Sequence, residues 1–264
     1  ISNNSKYDTN GSGGTTRIKF ADKEGNLKMA VGGGIIISDG IALKVEGSNS
    51  KLVLNNGVGI ISNGQEAIVG NNGSKTELYH SYICSSKVGV SVHFGAKLAL
   101  KNGSVISLNS NPNGRGGGVY ADDVNWGTDG GTNNNWYGSR VTMEEGSLVS
   151  SNTAQTGGGV CIGRVKAFEN RHADAEGEQN YQRTCFFTMK GGVIAGNVSK
   201  SFEGAGLALQ FESFSRAVIY EGEFYKNRAE SGADWGGGGI FVSEYNYLWM
   251  PNGASIYENI SDGL

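Results

Sequence analysis

Side chains able to do chemistry concentrate in two polar stretches. Ala121–Ser139 reads ADDVNWGTDGGTNNNWYGS and holds Trp126, Trp136 and Tyr137 among Asn, Gly and Asp. Planar rings with amide and carboxylate neighbours suit stacking on sugar faces or anchoring a protein partner. The competing reading is that the rings fold back and cover the outside of the molecule. Asp122, Asp123, Asn125 and Asp129 could offer oxygen ligands to Ca2+, although their spacing is not that of an EF-hand loop. Gly163–Thr184 reads GRVKAFENRHADAEGEQNYQRT and packs Arg164, Glu169, Arg171, His172, Asp174, Glu176 and Glu178 together. That mixture of charge is the composition of a solvated loop, yet His172 beside Asp174 and Glu176 also has the residue types of an acid–base site. The candidate binding residues are therefore Trp126, Trp136, Tyr137, Asp122, Asp123, Arg164 and His172, with Asp122, Asp123 and Asp129 as the metal candidates. His80 and His93 fall in or near strand-like runs and read as structural.

What holds these stretches is a repeated pattern, clearest in Phe187–Leu209, FTMKGGVIAGNVSKSFEGAGLAL. Three short apolar runs are separated by Asn and Gly corners, and alternation with period two marks half-buried strands. The opening run recurs as LVLNNG at Leu52, LALKNG at Leu98, VTMEEG at Val141, FTMKGG at Phe187, VIYEGE at Val218 and LWMPNG at Leu248. An apolar residue followed three positions later by Asn recurs as Ile60–Asn63, Ile106–Asn109, Val149–Asn152, Ile194–Asn197, Phe224–Asn227 and Ile256–Asn259. A Gly run leading into an apolar strand ends at Ile35, Val119, Val160, Leu207 and Ile240. Repeat architectures are recognised by such self-similarity. Starts at 187, 218 and 248 lie 31 and 30 residues apart, while those at 52, 98, 141 and 187 are spaced 46, 43 and 46. The longer intervals carry insertions, and Glu77–Gly95, with alternating Val88, Val90 and Val92, is a candidate for an additional repeat. Ile41–Glu46 alternates too and is expected to pair with the repeat that begins at Leu52.

Stacking the copies predicts an interior lined by Leu52/Leu54, Leu98/Leu100, Val141/Met143, Phe187/Met189, Val218/Tyr220 and Leu248/Met250. The outward positions are then Val53, Ala99, Thr142, Thr188, Ile219 and Trp249 on the first strand, and Tyr120, Cys161, Ala208 and Phe241 on the third. No acidic pair suited to glycoside hydrolysis falls on these positions. Glu144, Glu145 and Glu221, with Lys190 between, read as a charge ladder on a wet surface. Asn is expected to take the left-handed corner conformation and to bond along a ladder. Both insertions follow Gly-led strands. Shorter ones near Phe211–Ser215 and Ser243–Tyr247 come from the same corner, so all four are expected along one edge.

Composition narrows the class. The chain of 264 residues has 44 Gly and 2 Pro, which disfavours helix and, without a three-residue Gly period, excludes collagen. A formal net charge of −3 with no basic patch argues against nucleic acid or an anionic membrane as partner. No apolar stretch approaches the ~20 residues of a spanning helix. Cys84, Cys161 and Cys185 have neither metal spacing nor a disulfide framework. A bond between Cys161 and Cys185 would close the second insertion, with buried or unpaired thiols as the alternative. The opening residues 1–17 are expected to be a polar linker or loose cap, and 18–264 one domain cut from a longer surface protein.

The FYKN corner at Phe224–Asn227, the GGGI and GGGV strand openings and the GGVIAGN run resemble repeats of polymorphic outer-membrane-protein-like and gut Gram-positive cell-wall-anchored surface proteins. These share the right-handed parallel β-helix with pectate lyases. The resemblance covers about Leu52–Leu264. It implies an all-β, right-handed parallel β-helix solenoid with long loops along one edge, displayed outside a bacterial cell. It further implies an adhesin or binding segment that engages host glycan or host protein, a monomer within its longer chain. No resident cofactor beyond Ca2+ is expected and no membrane insertion. The lyase and hydrolase branch would bring Asp clusters or Arg/Lys on the strand surface, and no catalytic residue carries over. The alternatives are a polysaccharide-active enzyme, lyase or glycoside hydrolase, on the same scaffold and a passive stalk.

Overall fold

The structure, a computed structural model, describes residues 28–122, 138–163, 184–200, 203–210, 213, 215–230 and 236–262. Among them every regular element is a β-strand, and every strand pairing is parallel. Twelve strands form the largest sheet: β1 (Lys28–Ser38), β3 (Lys51–Ser62), β5 (Lys75–Leu78), β6 (Tyr82–Cys84), β8 (Lys97–Leu100), β9 (Val105–Ser107), β12 (Arg140–Met143), β13 (Leu148–Ser150), β16 (Phe186–Ala195), β19 (Arg216–Tyr225), β22 (Tyr247–Trp249) and β23 (Ser255–Tyr257). A seven-stranded sheet holds β2 (Leu43–Glu46), β4 (Glu66–Asn71), β7 (Val88–Val92), β11 (Val119–Ala121), β15 (Val160–Ile162), β18 (Leu207–Leu209) and β21 (Ile240–Val242). A five-stranded sheet of short strands holds β10 (Ser110–Arg115), β14 (Thr153–Thr156), β17 (Val198–Ser199), β20 (Arg228–Ala229) and β24 (Ile260–Ser261).

Each strand pairs with its equivalent one repeat away, so like residues form columns. Leu54, Leu78, Leu100, Met143, Met189 and Ile219 are successive Cα partners, and none is more than 1% exposed. A second column runs Ile60, Ile83, Ile106, Val149, Ile194, Phe224 and Ile256. The seven-stranded sheet supplies Ile68, Val90, Val119, Val160, Leu207 and Ile240. Apart from the exposed Ile256, these columns meet in one apolar core. Each side chain so buried contributes about 1.5–3 kcal/mol, and a single repeat could bury none of them alone.

The candidate additional repeat is real. β5, β6 and β7 pair on both sides, and Thr76 stands between Leu52 and Leu98 in the core column. β2 pairs with β4, as the alternation in Ile41–Glu46 predicted.

Four expectations need correcting. The inward residues of β19 are Ala217 and Ile219, both 0% exposed, not Val218 and Tyr220. Arg216–Tyr220 is apolar in both phases, so alternation alone cannot choose; a one-residue slip turns every side chain to the opposite face. GGGI ending at Ile35 does not lead into the seven-stranded sheet. It lies within β1, where Gly34 pairs with Val58 and Ile35 with Gly59. Asn63 is outside the Asn column: it is exposed and donates to Asp39 Oδ1 at 3.0 Å. The corner before it is one residue shorter, and Ser62 takes the place, its N–H donating to Ser86 Oγ at 3.0 Å.

The fourth correction concerns the corner itself. The left-handed residue is the one before Asn: Leu108, Ser151, Lys226 and Glu258 have φ of 57°, 54°, 54° and 53°. That turn swings the Asn side chain inward, where Asn109, Asn152, Asn197 and Asn227 are at most 1% exposed. Each Nδ2 donates to the Oδ1 of the next, at 2.9, 3.0, 2.9 and 2.9 Å down to Asn259. Each also caps a carbonyl one repeat back, as Asn152 Nδ2 does for Ile106 O at 3.0 Å.

The Gly runs are the other half of this device. A Cβ built on Gly118 would lie 2.6 Å from Gly159 O and 2.9 Å from Asn152 Nδ2, and one on Gly159 would lie 2.6 Å from Gly206 O and 2.9 Å from Asn197 Nδ2. The chain passes so close over the Asn column that only Gly fits.

Candidate functional site

The insertions leave and return through two stacked columns. Past the seven-stranded sheet, backbone bonding continues by one residue: Asp122 N donates to Val92 O at 3.0 Å, Gly163 N to Ala121 O at 2.7 Å and Gln210 N to Ile162 O at 3.0 Å. The chain comes back at Ser139, Cys185 and Ser215, where Phe186 N donates to Ser139 O at 2.9 Å and Arg216 N to Cys185 O at 3.0 Å. Four repeats close this gap with a tight turn: Ser50 N donates to Gly47 O at 2.9 Å, Ser74 N to Asn71 O at 3.1 Å, Ala96 N to His93 O at 3.1 Å and Asn246 N to Ser243 O at 3.3 Å. The insertions therefore replace one turn of the pattern, and their roots stand side by side. Ser139 Oγ donates to Asp122 O at 2.6 Å, and Arg140 donates from its guanidinium to Thr184 O.

Of the sequence candidates, Asp122 alone lies among the described residues. Asp123, Trp126, Asp129, Trp136, Tyr137, Arg164 and His172 lie outside them. Asp122 is fully buried, and its Oδ1 sits 2.6 Å from His93 Nδ1. Its carboxylate is thus engaged inside the protein, at the root of the first insertion. The signal for this pairing was faint: His93 and Asp122 follow equivalent strands in neighbouring repeats. Cys84, Cys161 and Cys185 are free thiols. Among the described residues no group of three or more His, Cys, Asp or Glu side chains could hold a metal ion.

The outward face of the seven-stranded sheet carries Ser91, Tyr120, Cys161, Ala208 and Phe241 in register. Cys161 and Ala208 point outward and are nonetheless buried, because the Gly runs fold over them: a Cβ on Gly157 would meet Cys161 Cβ at 2.6 Å, and one on Gly204 would meet Ala208 Cβ at 2.9 Å. Burial pushes the Cys161 thiol and the Tyr120 phenol far above their ordinary pKa, so both stay protonated. The Arg115 charge opposes that shift at Tyr120. Burial also raises the Glu203 carboxyl, against the pull of the Arg115 charge and of Gln210, whose Nε2 lies 3.4 Å from Glu203 Oε2.

Beside this face lies a groove of about 990 Å3, lined by Glu66, Lys87, Asn111, Arg115, Tyr120 and Gln155 among others. It lies where the five-stranded sheet begins, at β10: the three preceding described repeats turn their corner without that strand, and β10 borders the groove as a wall. Sequence reasoning missed it, since the step is set by corner length rather than by any motif. Among the described residues Glu66 is the one carboxylate in the lining. The groove's hydroxyls, amides and two cations are suited to holding a polar ligand.

No family model matches this chain, and no curated protein or solved structure matches it.

Proposed function

We propose that the chain is a binding segment of an extracellular bacterial surface protein. Its scaffold is a right-handed parallel β-helix solenoid that presents long loops from one edge to a host glycan or host protein. One observation carries the reading: Asp122, Gly163 and Gln210 form one departure column, and Ser139, Cys185 and Ser215 one return column. Loops rooted in this way share an edge, and a rigid scaffold with long loops is where recognition is commonly placed. The aromatic rings of the first insertion supply the contact, stacking on sugar or filling a protein pocket. The repeats' likeness to bacterial surface proteins supplies the location, and fold likeness alone says nothing of the ligand.

A glycan and host-protein binding array comparing the chain with its Trp126→Ala/Trp136→Ala variant tests the proposal. Binding that falls by at least about tenfold in the variant, the loss of roughly 1.4 kcal/mol, supports it. Binding that survives the double change moves the site off the loop, and no binding at all leaves a passive stalk.

A further inference from the structure

Six cations on the described surface are paired within the scaffold. Lys44, Lys51, Lys101, Lys200, Lys226 and Arg228 each have a carboxylate partner, Lys51 Nζ lying 2.7 Å from Glu77 Oε1 and Lys200 Nζ 2.5 Å from Glu230 Oε2. Among the described residues Lys75, Lys87, Lys97, Arg115 and Lys190 are in no ion pair, and of these Lys87 and Arg115 line the groove at the start of the five-stranded sheet. Arg115 lies beside the Tyr120 phenol, a neutral partner, and its charge also acts on the Glu203 carboxyl. The remaining lining is rich in hydroxyls and amides, Ser85, Ser110, Asn113 and Gln155 among them.

Two ligand shapes could fill such a groove. A peptide could add as a strand to β10, the end strand of its sheet, but this edge is blunted. Pro112 has no N–H to offer, the register shifts between Asn111 and Arg115, and Asn111 Nδ2 is already bonded to Arg115 O at 3.0 Å. A ligand that needs no strand pairing, carries hydroxyls and bears an anion fits the lining instead. The groove volume of about 990 Å3 is that of a small-ligand site. We infer that the groove binds an anionic saccharide, its carboxylate or sulfate held between Lys87 and Arg115 and its hydroxyls on the Asn, Gln and Ser side chains around them. Guanidinium is well suited to a planar carboxylate or a sulfate, and lysine adds a point charge. Glu66 opposes the anion and accepts from ligand hydroxyls. The groove's lining residues all lie outside the two long insertions in sequence.

Calorimetric titration with uronate-bearing, sialylated, sulfated and neutral oligosaccharides of matched length tests the inference, and comparison of the charged sets shows which anion is preferred. The expected result is binding of a charged set, weakened by added salt. Affinity falls about tenfold or more in Arg115→Gln and in Lys87→Gln, the size of one lost charge-assisted contact. Glu66→Gln tightens binding. Because Arg115 also touches Tyr120, the exposed Lys87 provides the variant whose fold is not at issue. Equal binding of neutral and charged saccharides overturns the inference. So does full affinity in Lys87→Gln, no binding of any charged set, or preferential binding of an acidic peptide.

Discussion

Asn152 shows how much a single side chain holds in this protein. Its Oδ1 accepts from Asn109 N at 3.1 Å and Asn109 Nδ2 at 2.9 Å, and its Nδ2 donates to Ile106 O and to Asn197 Oδ1, both at 3.0 Å. All of this is buried, so truncation strands donors and an acceptor that water cannot reach. Asn152→Ala is expected to cost about 2–4 kcal/mol in chemical denaturation, and Asn259→Ala, at the partly exposed end of the column, clearly less. Equal losses at the two positions would mean that the column is ornament. The Asn spacing could be read directly from the chain, and so could a ladder. What spacing could not show was which corner residue turns left-handed. Leu108 and Lys226 are poor guesses for that conformation, and they adopt it because the bonds of the following Asn hold them there.

Among the elements, alternation located most strands and set the phase of nearly all. Leu100, Met143 and Met189 fall in one column because each sits between polar or small neighbours that exclude the other phase. β19 lacks that contrast, and only pairing with β16 places Ile219 on Met189. Ile219→Asp would put an unpaired carboxylate into the core and is expected to cost upward of about 3 kcal/mol or prevent folding. Val218→Asp, on the half-buried outer face, should be tolerated with a loss near 1 kcal/mol or less. Thermal denaturation of the two variants decides the phase, and the reverse ranking would restore Val218 and Tyr220 to the interior. The repeat holding Thr76 was hard to find for a related reason: a hydroxyl stands where its neighbours have Leu.

At the scale of the whole molecule, the repeats add one after another, and each is stabilised by the pair it lies between. Exposure shows this at the last described repeat, where Ile256 is 46% exposed while its equivalents Ile106 and Ile194 are fully buried. The departure column at Asp122, Gly163 and Gln210 follows from the same addition, and the long polar insertions signalled it through their places after Gly-led strands. The groove beside Arg115 was not legible, because Lys87 and Arg115 come together only through the step where β10 begins. All of these features depend on repeats separated by one strand spacing. Ser85, Leu108, Ser151, Gly196, Lys226 and Glu258 occupy one corner position in six successive repeats. Spin labels paired from Ser85 to Ser151, Lys226 and Glu258, in a background with Cys84 replaced, measure that spacing by dipolar coupling. Backbone separations should grow by about 4.8 Å per repeat, reaching roughly 10, 19 and 24 Å. Distances that do not rise in this order, or a Ser85–Glu258 pair closer than Ser85–Lys226, would contradict the stack and with it the shared edge and the groove.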